Sequence, residues 1–149
     1  MLILVAVILF IVALLWRGGA EKKQYGFPSV TLEGVHVRSK GEKRIADYFT
    51  RNGIHYMYEK PVYRRGFGGK KISNPDFYLT DYDVYVEYWG LVDADDERLR
   101  NEYIRSMKWK MGQYYENRAK FVSIYPRNLE NLDWVFRKKF ETASGQPLH

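Results

Sequence analysis

The chain has 149 residues, which is enough for one folded domain and short attached segments. It contains no Cys, which excludes disulfide bonds and cysteine-type zinc sites, and its three His are too scattered for a His-rich metal cluster. Lys and Arg outnumber Asp and Glu by 24 to 18, which gives a net charge of +6. That balance favours a polyanionic partner, with nucleic acid ahead of an anionic membrane surface.

The first predicted element is a hydrophobic helix over residues 1–16. Every residue from Leu2 to Trp16 is apolar, and Arg17 ends the run. A spanning helix needs roughly 20 apolar residues, so this run predicts a short transmembrane anchor. Because the basic residues follow the run, the positive-inside rule places the rest of the chain on the cytoplasmic side. A cleaved signal peptide and a buried core helix are the two alternatives.

The folded domain is predicted to cover residues 36–141. Residues 17–35 mix Gly, Lys, Gln, Pro and Ser without periodicity and predict a linker, and residues 142–149 predict a loose tail. The domain opens with a helix, because Ser39 followed by Glu42 has the form of a capping box. Glu42 also falls in the middle of the apolar, inward face of this helix.

Strands fill the middle of the domain. Residues 54–63 are rich in Tyr, Met and Val and predict one strand, which is followed by a basic, glycine-rich turn over residues 64–71. Residues 77–79 and 84–89 predict a hairpin. A long helix to about Arg118, a strand over residues 121–125 and a last helix from Asn128 complete the domain. This αβββαβα order predicts an α/β fold, with a mixed sheet of about four strands flanked by helices.

Two carboxylates are expected to meet at one end of the hairpin. Asp76 stands at the head of its first strand, and Glu87 stands near the end of the second. Carboxylates at such range repel each other, so one stays protonated unless a cation lies between them. Mg²⁺ is the usual solution, since it accepts one or two protein carboxylates and leaves its other positions to water and phosphate. The pair therefore points to metal-assisted phosphodiester cleavage.

The long helix adds a cation to this pair. At 100° per residue, Lys110 lies inside the apolar stripe of the helix, whereas Lys108 lies more than 100° away and should be solvated. A lysine in such a stripe either extends its amine to solvent or faces carboxylates across the helix–sheet interface. The non-catalytic alternatives are a structural role for Lys110 and a capping role alone for Glu42.

In their order and spacing, these residues resemble the PD-(D/E)xK nuclease superfamily, which has the restriction-endonuclease-like fold. The resemblance covers roughly residues 37–140 and is closest to small nuclease-like domains found alone or attached to superfamily 1 helicases. One departure is Trp89, which stands where the general pattern has its lysine. The matching motifs are Ser39-x-Gly41-Glu42, Tyr58-Glu59, Pro75-Asp76-Phe77, Glu87-x-Trp89-Gly90 and Lys110-x-x-x-Tyr114.

The resemblance implies roles for these residues. Asp76 and Glu87 would be ligands of Mg²⁺ or Mn²⁺, and the Tyr88 carbonyl would be a third ligand. Glu42 would be the acid of the first helix, and Lys110 would replace the lysine missing from the strand. The implied function is a metal-dependent endonuclease tethered to the membrane that cuts DNA nonspecifically or by structure. A helicase partner and a homodimer are compatible with it.

The basic turn is the predicted nucleic-acid contact. Its four cations would hold the phosphate backbone without reading sequence. Two other functions remain open: an inactive nuclease-fold module that binds DNA or recruits a partner, and a nuclease that acts on RNA, since phosphate contacts alone do not separate the two nucleic acids. The four residues are Arg64, Arg65, Lys70 and Lys71.

Overall fold

The computed structural model describes residues 26–66 and 68–149, which form a mixed α/β fold. The strands are β1 (Ser29–Val30), β2 (His36–Val37), β3 (Tyr56–Tyr58), β4 (Val62–Tyr63), β5 (Lys71–Ser73), β6 (Phe77–Leu79), β7 (Val84–Tyr88) and β8 (Phe121–Ile124). The helices are α1 (Lys40–Arg51), α2 (Glu97–Glu116), a 3₁₀ helix (Pro126–Asn131) and α3 (Leu132–Ser144).

Four strands form the central sheet, in the order β3-β6-β7-β8. The β3–β6 and β6–β7 pairs are antiparallel, whereas β7 and β8 run parallel and are connected through α2. The predicted mixed sheet is therefore confirmed, and so is the hairpin that carries Asp76 and Glu87. In the parallel pair, Glu87 lies opposite Ser123.

The two faces of the sheet carry different helices. Val84 and Val86 point to one face, where they pack with fully buried side chains of α1 and α3 such as Phe49 and Phe136. Side chains alternate along a strand, so Tyr85 points to the opposite face, where it packs against the buried cluster that contains Tyr114 of α2. Glu87, two residues further along, points the same way. The sheet thus aims a carboxylate at helix α2.

The predicted strand over residues 54–63 is interrupted. Glu59 adopts a left-handed backbone conformation with φ of 54°, and Pro61 has no amide hydrogen to donate to a sheet. The segment therefore gives two short strands with different partners. β3 joins the central sheet, and β4 pairs with β5 in a separate hairpin.

The last helix begins later than predicted. Asn128 was expected to cap it, but residues 126–131 form a 3₁₀ helix, and α3 begins at Leu132. The Asn128 side chain instead accepts a hydrogen bond from the Tyr125 amide, at 3.0 Å. The α3 helix then continues to Ser144, into the segment expected to be a loose tail.

Ordered structure also extends into the predicted linker. β1 and β2 form a small antiparallel hairpin, and the Leu32 amide donates a 2.7 Å hydrogen bond to Asp47 of α1. The predicted anchor over residues 1–16 lies outside the described residues. Within the described part of the chain, no helix is long and apolar enough to cross a membrane.

Candidate active site

A cavity of about 230 Å³ lies where the start of α1, the end of β7 and the middle of α2 converge. It brings together the four side chains predicted from the sequence to form a catalytic site. Three of them are carboxylates on buried residues that expose at most 6% of their surface. The four residues are Glu42, Asp76, Glu87 and Lys110.

Asp76 is held from two sides. Its Oδ2 accepts a 2.7 Å hydrogen bond from the Tyr88 amide on the facing strand, and its Oδ1 accepts one of 2.9 Å from the Arg38 guanidinium. Burial raises the pKa of Asp76 well above its usual range, and repulsion from Glu87 and Glu42 raises it further. The Tyr88 amide and Arg38 only partly oppose this rise. The carboxylate therefore sits where an additional cation would stabilise its charged form.

Glu87 faces helix α2. Its Oε1 accepts a hydrogen bond from the Tyr114 hydroxyl, which also bonds to Ser73, and the same oxygen lies 3.8 Å from the Lys110 amine. Burial raises the pKa of Glu87, while Lys110 and Tyr114 act in the opposite direction. Tyr114 thus fixes the orientation of the carboxylate, and Lys110 supplies its nearest positive charge from α2.

Helix α2 places Lys110, and not Lys108, against the sheet, as the helical positions predict. Lys110 is half-buried, and its amine lies 5.6 Å from the centre of the Trp89 ring. Lys108 is exposed. Trp89 itself is buried and donates a 2.9 Å hydrogen bond from its indole nitrogen to Ser123. The strand position where the nuclease pattern has lysine is therefore a packing position in this chain.

Glu42 combines a capping role with a position in the cavity. Its carboxylate accepts hydrogen bonds from the Ser39 hydroxyl at 3.0 Å, the Arg38 amide at 3.0 Å and the Tyr58 hydroxyl at 2.6 Å. The Ser39 hydroxyl in turn accepts from the Glu42 amide, which caps α1. The two interpretations of Glu42 are thus compatible, because the start of the helix forms one wall of the cavity.

Arg38 was not among the residues predicted from the sequence, yet it is the closest cation to Asp76. Its guanidinium also lies 3.2 Å from Glu59. Burial lowers the pKa of Arg38, but the Asp76 and Glu59 carboxylates more than compensate and raise it. The signal available in the sequence was the charge balance: three inward-facing acids were matched with only one inward-facing lysine.

The predicted basic turn lies outside this cavity. The Arg64 guanidinium donates a 2.8 Å hydrogen bond to Gln113, and the Arg65 amide donates one of 3.0 Å to Asn117, both near the end of α2. Lys70 and Lys71 are exposed. The turn is therefore attached to the same helix as Lys110, and its four predicted cations are not among the described residues that line the cavity.

The donor set fits a hard divalent cation such as Mg²⁺ or Mn²⁺ better than a softer metal that prefers nitrogen or sulfur ligands. The cavity presents carboxylate oxygens, and each Asp76 oxygen keeps a second lone pair beyond its hydrogen bond. The Tyr88 carbonyl, the predicted third ligand, lies 3.5 Å from the Tyr103 hydroxyl. No cluster of three or more His, Cys, Asp or Glu suited to hold a metal occurs among the described residues. Mg²⁺ does not need one, because it retains several waters.

Comparisons with known protein families, with curated proteins and with solved structures gave no significant match. The described chain is a mixed α/β protein whose cavity combines three carboxylates with Lys110 and Arg38.

Proposed function

We propose that this protein is a metal-dependent endonuclease of the PD-(D/E)xK type that hydrolyses DNA phosphodiester bonds. The observation that carries the proposal is the burial of Asp76 and Glu87 in one cavity, with Lys110 3.8 Å from Glu87. Buried like charges are costly and rarely retained without a partner. Arg38 and Lys110 offset these charges only in part, since three carboxylates face two cations in the cavity. A divalent cation would complete the compensation.

Asp76 and Glu87 would hold Mg²⁺ or Mn²⁺, with the Tyr88 carbonyl as a third protein ligand. When bound, such an ion polarises the phosphate and lowers the pKa of a coordinated water. Tyr114 keeps the Glu87 carboxylate oriented through its hydrogen bond. The protein therefore contributes a rigid pair of oxygen ligands, which is what precise positioning requires.

The cations of the cavity act on the substrate. Lys110 orients the attacking water or stabilises the negative charge that develops on the phosphate. Arg38 neutralises Asp76 at 2.9 Å before substrate binds, and its forked guanidinium suits a phosphate oxygen as well as a carboxylate. The Glu42 carboxylate accepts a hydrogen bond from the backbone amide of Arg38 and so holds the main chain from which the Arg38 side chain extends.

The substrate class follows from charge. The net charge of +6 favours a polyanion, and the basic turn offers backbone contacts that do not depend on sequence. Cutting is thus nonspecific or directed by DNA structure.

The apolar run over residues 1–16 would tether the domain to the cytoplasmic face of a membrane, where a helicase or a second copy could join it. Recovery of the full chain in the soluble cell fraction would argue against the tether.

A DNA-binding module without catalysis is the second candidate. The observation in its favour is the Arg38–Asp76 ion pair, because a guanidinium can neutralise this carboxylate without a metal. An assay of the purified full chain in mild detergent separates the candidates. Plasmid, single-stranded DNA, flap DNA and RNA are each incubated with Mg²⁺, Mn²⁺ or EDTA.

We expect cleavage of at least one DNA substrate with Mg²⁺ or Mn²⁺ and none with EDTA. Cleavage of RNA alone would redirect the proposal to an RNA nuclease. Binding of DNA without cleavage under any metal condition would favour the non-catalytic module. Cleavage that persists in EDTA would contradict the metal-dependent mechanism.

A further inference from the structure

A second, larger cavity of about 600 Å³ lies at the free edge of the central sheet. Strand β8 is the last strand of the order β3-β6-β7-β8, so its outer edge pairs with no further strand formed by the described residues. The groove runs along this edge, between residues of α2 on one side and residues of α3 on the other. The described residues that line it are all different from those of the Asp76–Glu87 cavity.

The walls of the groove carry one sign of charge. Arg118, Lys120, Lys138 and Lys139 line it, and no Asp or Glu is among its described lining residues. Within the described part of the chain, Arg118, Lys120 and Lys138 form no ion pair with a carboxylate. A groove of unpaired cations attracts anions and concentrates them.

Aromatic rings interleave with these cations. Tyr115 is 69% exposed although it belongs to the groove wall, and its ring packs edge-on against Phe121 at 5.1 Å. Tyr125 lines the other end of the groove. An exposed but supported ring offers a flat face on which a planar group can stack at little conformational cost.

Lys139 lines the groove and is held in place by hydrogen bonds. Its amine donates hydrogen bonds to the Ser123 carbonyl at 2.7 Å and to the Asn128 side chain at 3.2 Å, and it lies 4.8 Å from the centre of the Tyr125 ring. Burial and the nearby Arg127 lower the pKa of Lys139. This lysine already occupies a carbonyl of the strand edge, which obstructs the addition of a further peptide strand there.

We infer that this groove binds a single strand of nucleic acid. Unpaired cations that follow a groove, with aromatic rings between them, are the combination that holds a phosphate backbone while bases stack without sequence readout. A volume of about 600 Å³ is in the range of organic ligand sites, which is large compared with a simple inorganic anion site. A peptide is disfavoured, because the edge carbonyl is occupied and the walls repel basic segments.

The described residues of the groove differ from those of the proposed cleavage site. The inference extends the proposed nuclease function, because the groove would hold an unpaired strand of the substrate. A substrate with a single-stranded arm would be held at two positions. This arrangement would make cutting depend on DNA structure. Binding in the groove is expected whether or not Asp76 and Glu87 support hydrolysis.

The test is the binding of fluorescein-labelled oligothymidylate to the full chain in mild detergent with EDTA, followed by fluorescence anisotropy. The double variant Lys120→Met/Lys138→Met should bind about tenfold more weakly. It should also reduce the slope of log affinity against log salt by about 1.4, the value for two lost contacts to a single strand.

Tyr115→Leu should weaken binding at least fivefold through lost stacking. The control Arg105→Met/Lys108→Met removes two exposed cations from α2 and should change affinity less than twofold.

Equal affinity for wild type and both groove variants would overturn the inference, as would an equal loss in the control, which would show that only net charge matters. If vesicles containing phosphatidylserine bind through the same residues and the oligonucleotide does not, the groove is a lipid contact. Failure of cleavage with intact groove-dependent binding would refute the nuclease proposal alone. Normal cleavage with groove-independent binding would refute the groove alone.

Discussion

Two lysines of helix α2 provide a comparison at the scale of single residues. Lys110 lies 3.8 Å from Glu87, and Lys108, two residues earlier, is exposed. Both belong to the same helix, so substitution by the same residue perturbs helix propensity equally. Any difference between the variants in rate of cleavage therefore reports on the cavity.

We predict that Lys110→Met lowers the cleavage rate by roughly 100-fold or more, the scale for loss of one preorganised electrostatic group. Lys108→Met should leave the rate within a few-fold of wild type. The measurement is single-turnover cleavage by both purified variants, with circular dichroism as a check of folding. If Lys108→Met is the inactive variant, the assignment of helix faces is wrong. If neither matters, the cavity does not use this lysine.

Arg38 allows a test that does not require cleavage. We predict that Arg38→Met lowers the free energy of unfolding by about 3 kcal/mol in EDTA, because it leaves Asp76 buried without its cation. Millimolar Mg²⁺ or Mn²⁺ should reverse much of this loss, since a bound metal replaces the missing charge. Urea unfolding measures both values. The control Arg98→Met removes an exposed pair with Glu102 and should cost less than about 1 kcal/mol. Equal losses with and without metal would mean that the cavity binds none.

At the scale of elements, the start of α1 is packed against the end of β7. Gly41 lies in the first turn of the helix, and a Cβ atom there would overlap the ring of Tyr88, which lines the cavity. Gly112 lies inside α2, and apart from its chain neighbours and its own helix backbone no described atom lies within 4 Å of the same position. Gly41 therefore leaves no room for a side chain, whereas Gly112 has room for one.

We predict opposite effects for the same substitution at these two positions. Gly41→Ala should destabilise the fold by about 1–3 kcal/mol through overpacking and should displace Tyr88. Gly112→Ala should stabilise it by up to about 1 kcal/mol, the difference in helix propensity. Urea unfolding midpoints measure both changes. Stabilisation by Gly41→Ala would show that Tyr88 does not pack on this turn.

The β1–β2 hairpin depends on Asp47 of α1, which bonds the Leu32 amide at 2.7 Å and Lys43 at 2.9 Å. Burial alone raises the pKa of Asp47, but these two bonds outweigh it and lower the pKa below its usual range. A depressed pKa in the folded state stabilises the fold above the unfolded pKa of about 3.9. That contribution is lost as the pH falls through the folded value.

We predict that wild-type stability falls more steeply than that of Asp47→Asn between about pH 5 and pH 2. At pH 7 the variant should be less stable by about 2 kcal/mol, because it loses a charge-assisted bond to Lys43. Thermal unfolding at a series of pH values gives both curves. Asp95→Asn, at an exposed position, serves as the control. Parallel curves for wild type and Asp47→Asn would contradict this role of Asp47.

Local patterns predicted the parts of the fold that depend on neighbouring residues. Ser39 caps α1 and the 77–88 hairpin forms because their signals lie within a few positions in the chain. Other parts depend on distant contacts. The segments before and after Glu59 pair with different strands, β3 with β6 and β4 with β5. Arg38 reaches the site because the fold brings Asp76, just before β6, beside it. Pro61 and the charge balance are signs of the break and of a missing cation, but they do not identify the segments that meet.

At the scale of the whole molecule, the candidate site joins segments that are far apart in sequence. Glu42 comes from α1, Asp76 and Glu87 from the central hairpin, and Lys110 from α2, the helix that connects the parallel strands β7 and β8. The positive groove beside β8 lies on the free edge of the same sheet. A shared sheet thus supports two sites of opposite charge character, one carboxylate-rich and one basic.

The most direct test of the central claim compares metal-dependent DNA cleavage by the wild-type chain with that by Asp76→Ala and Glu87→Ala. We predict that the wild-type chain cleaves with Mg²⁺ or Mn²⁺, and that each variant is folded, retains DNA binding by anisotropy and has lost cleavage. Removal of either carboxylate should suffice, because both would hold the same ion. Cleavage at the wild-type rate by either folded variant would contradict the assignment of this cavity as the active site.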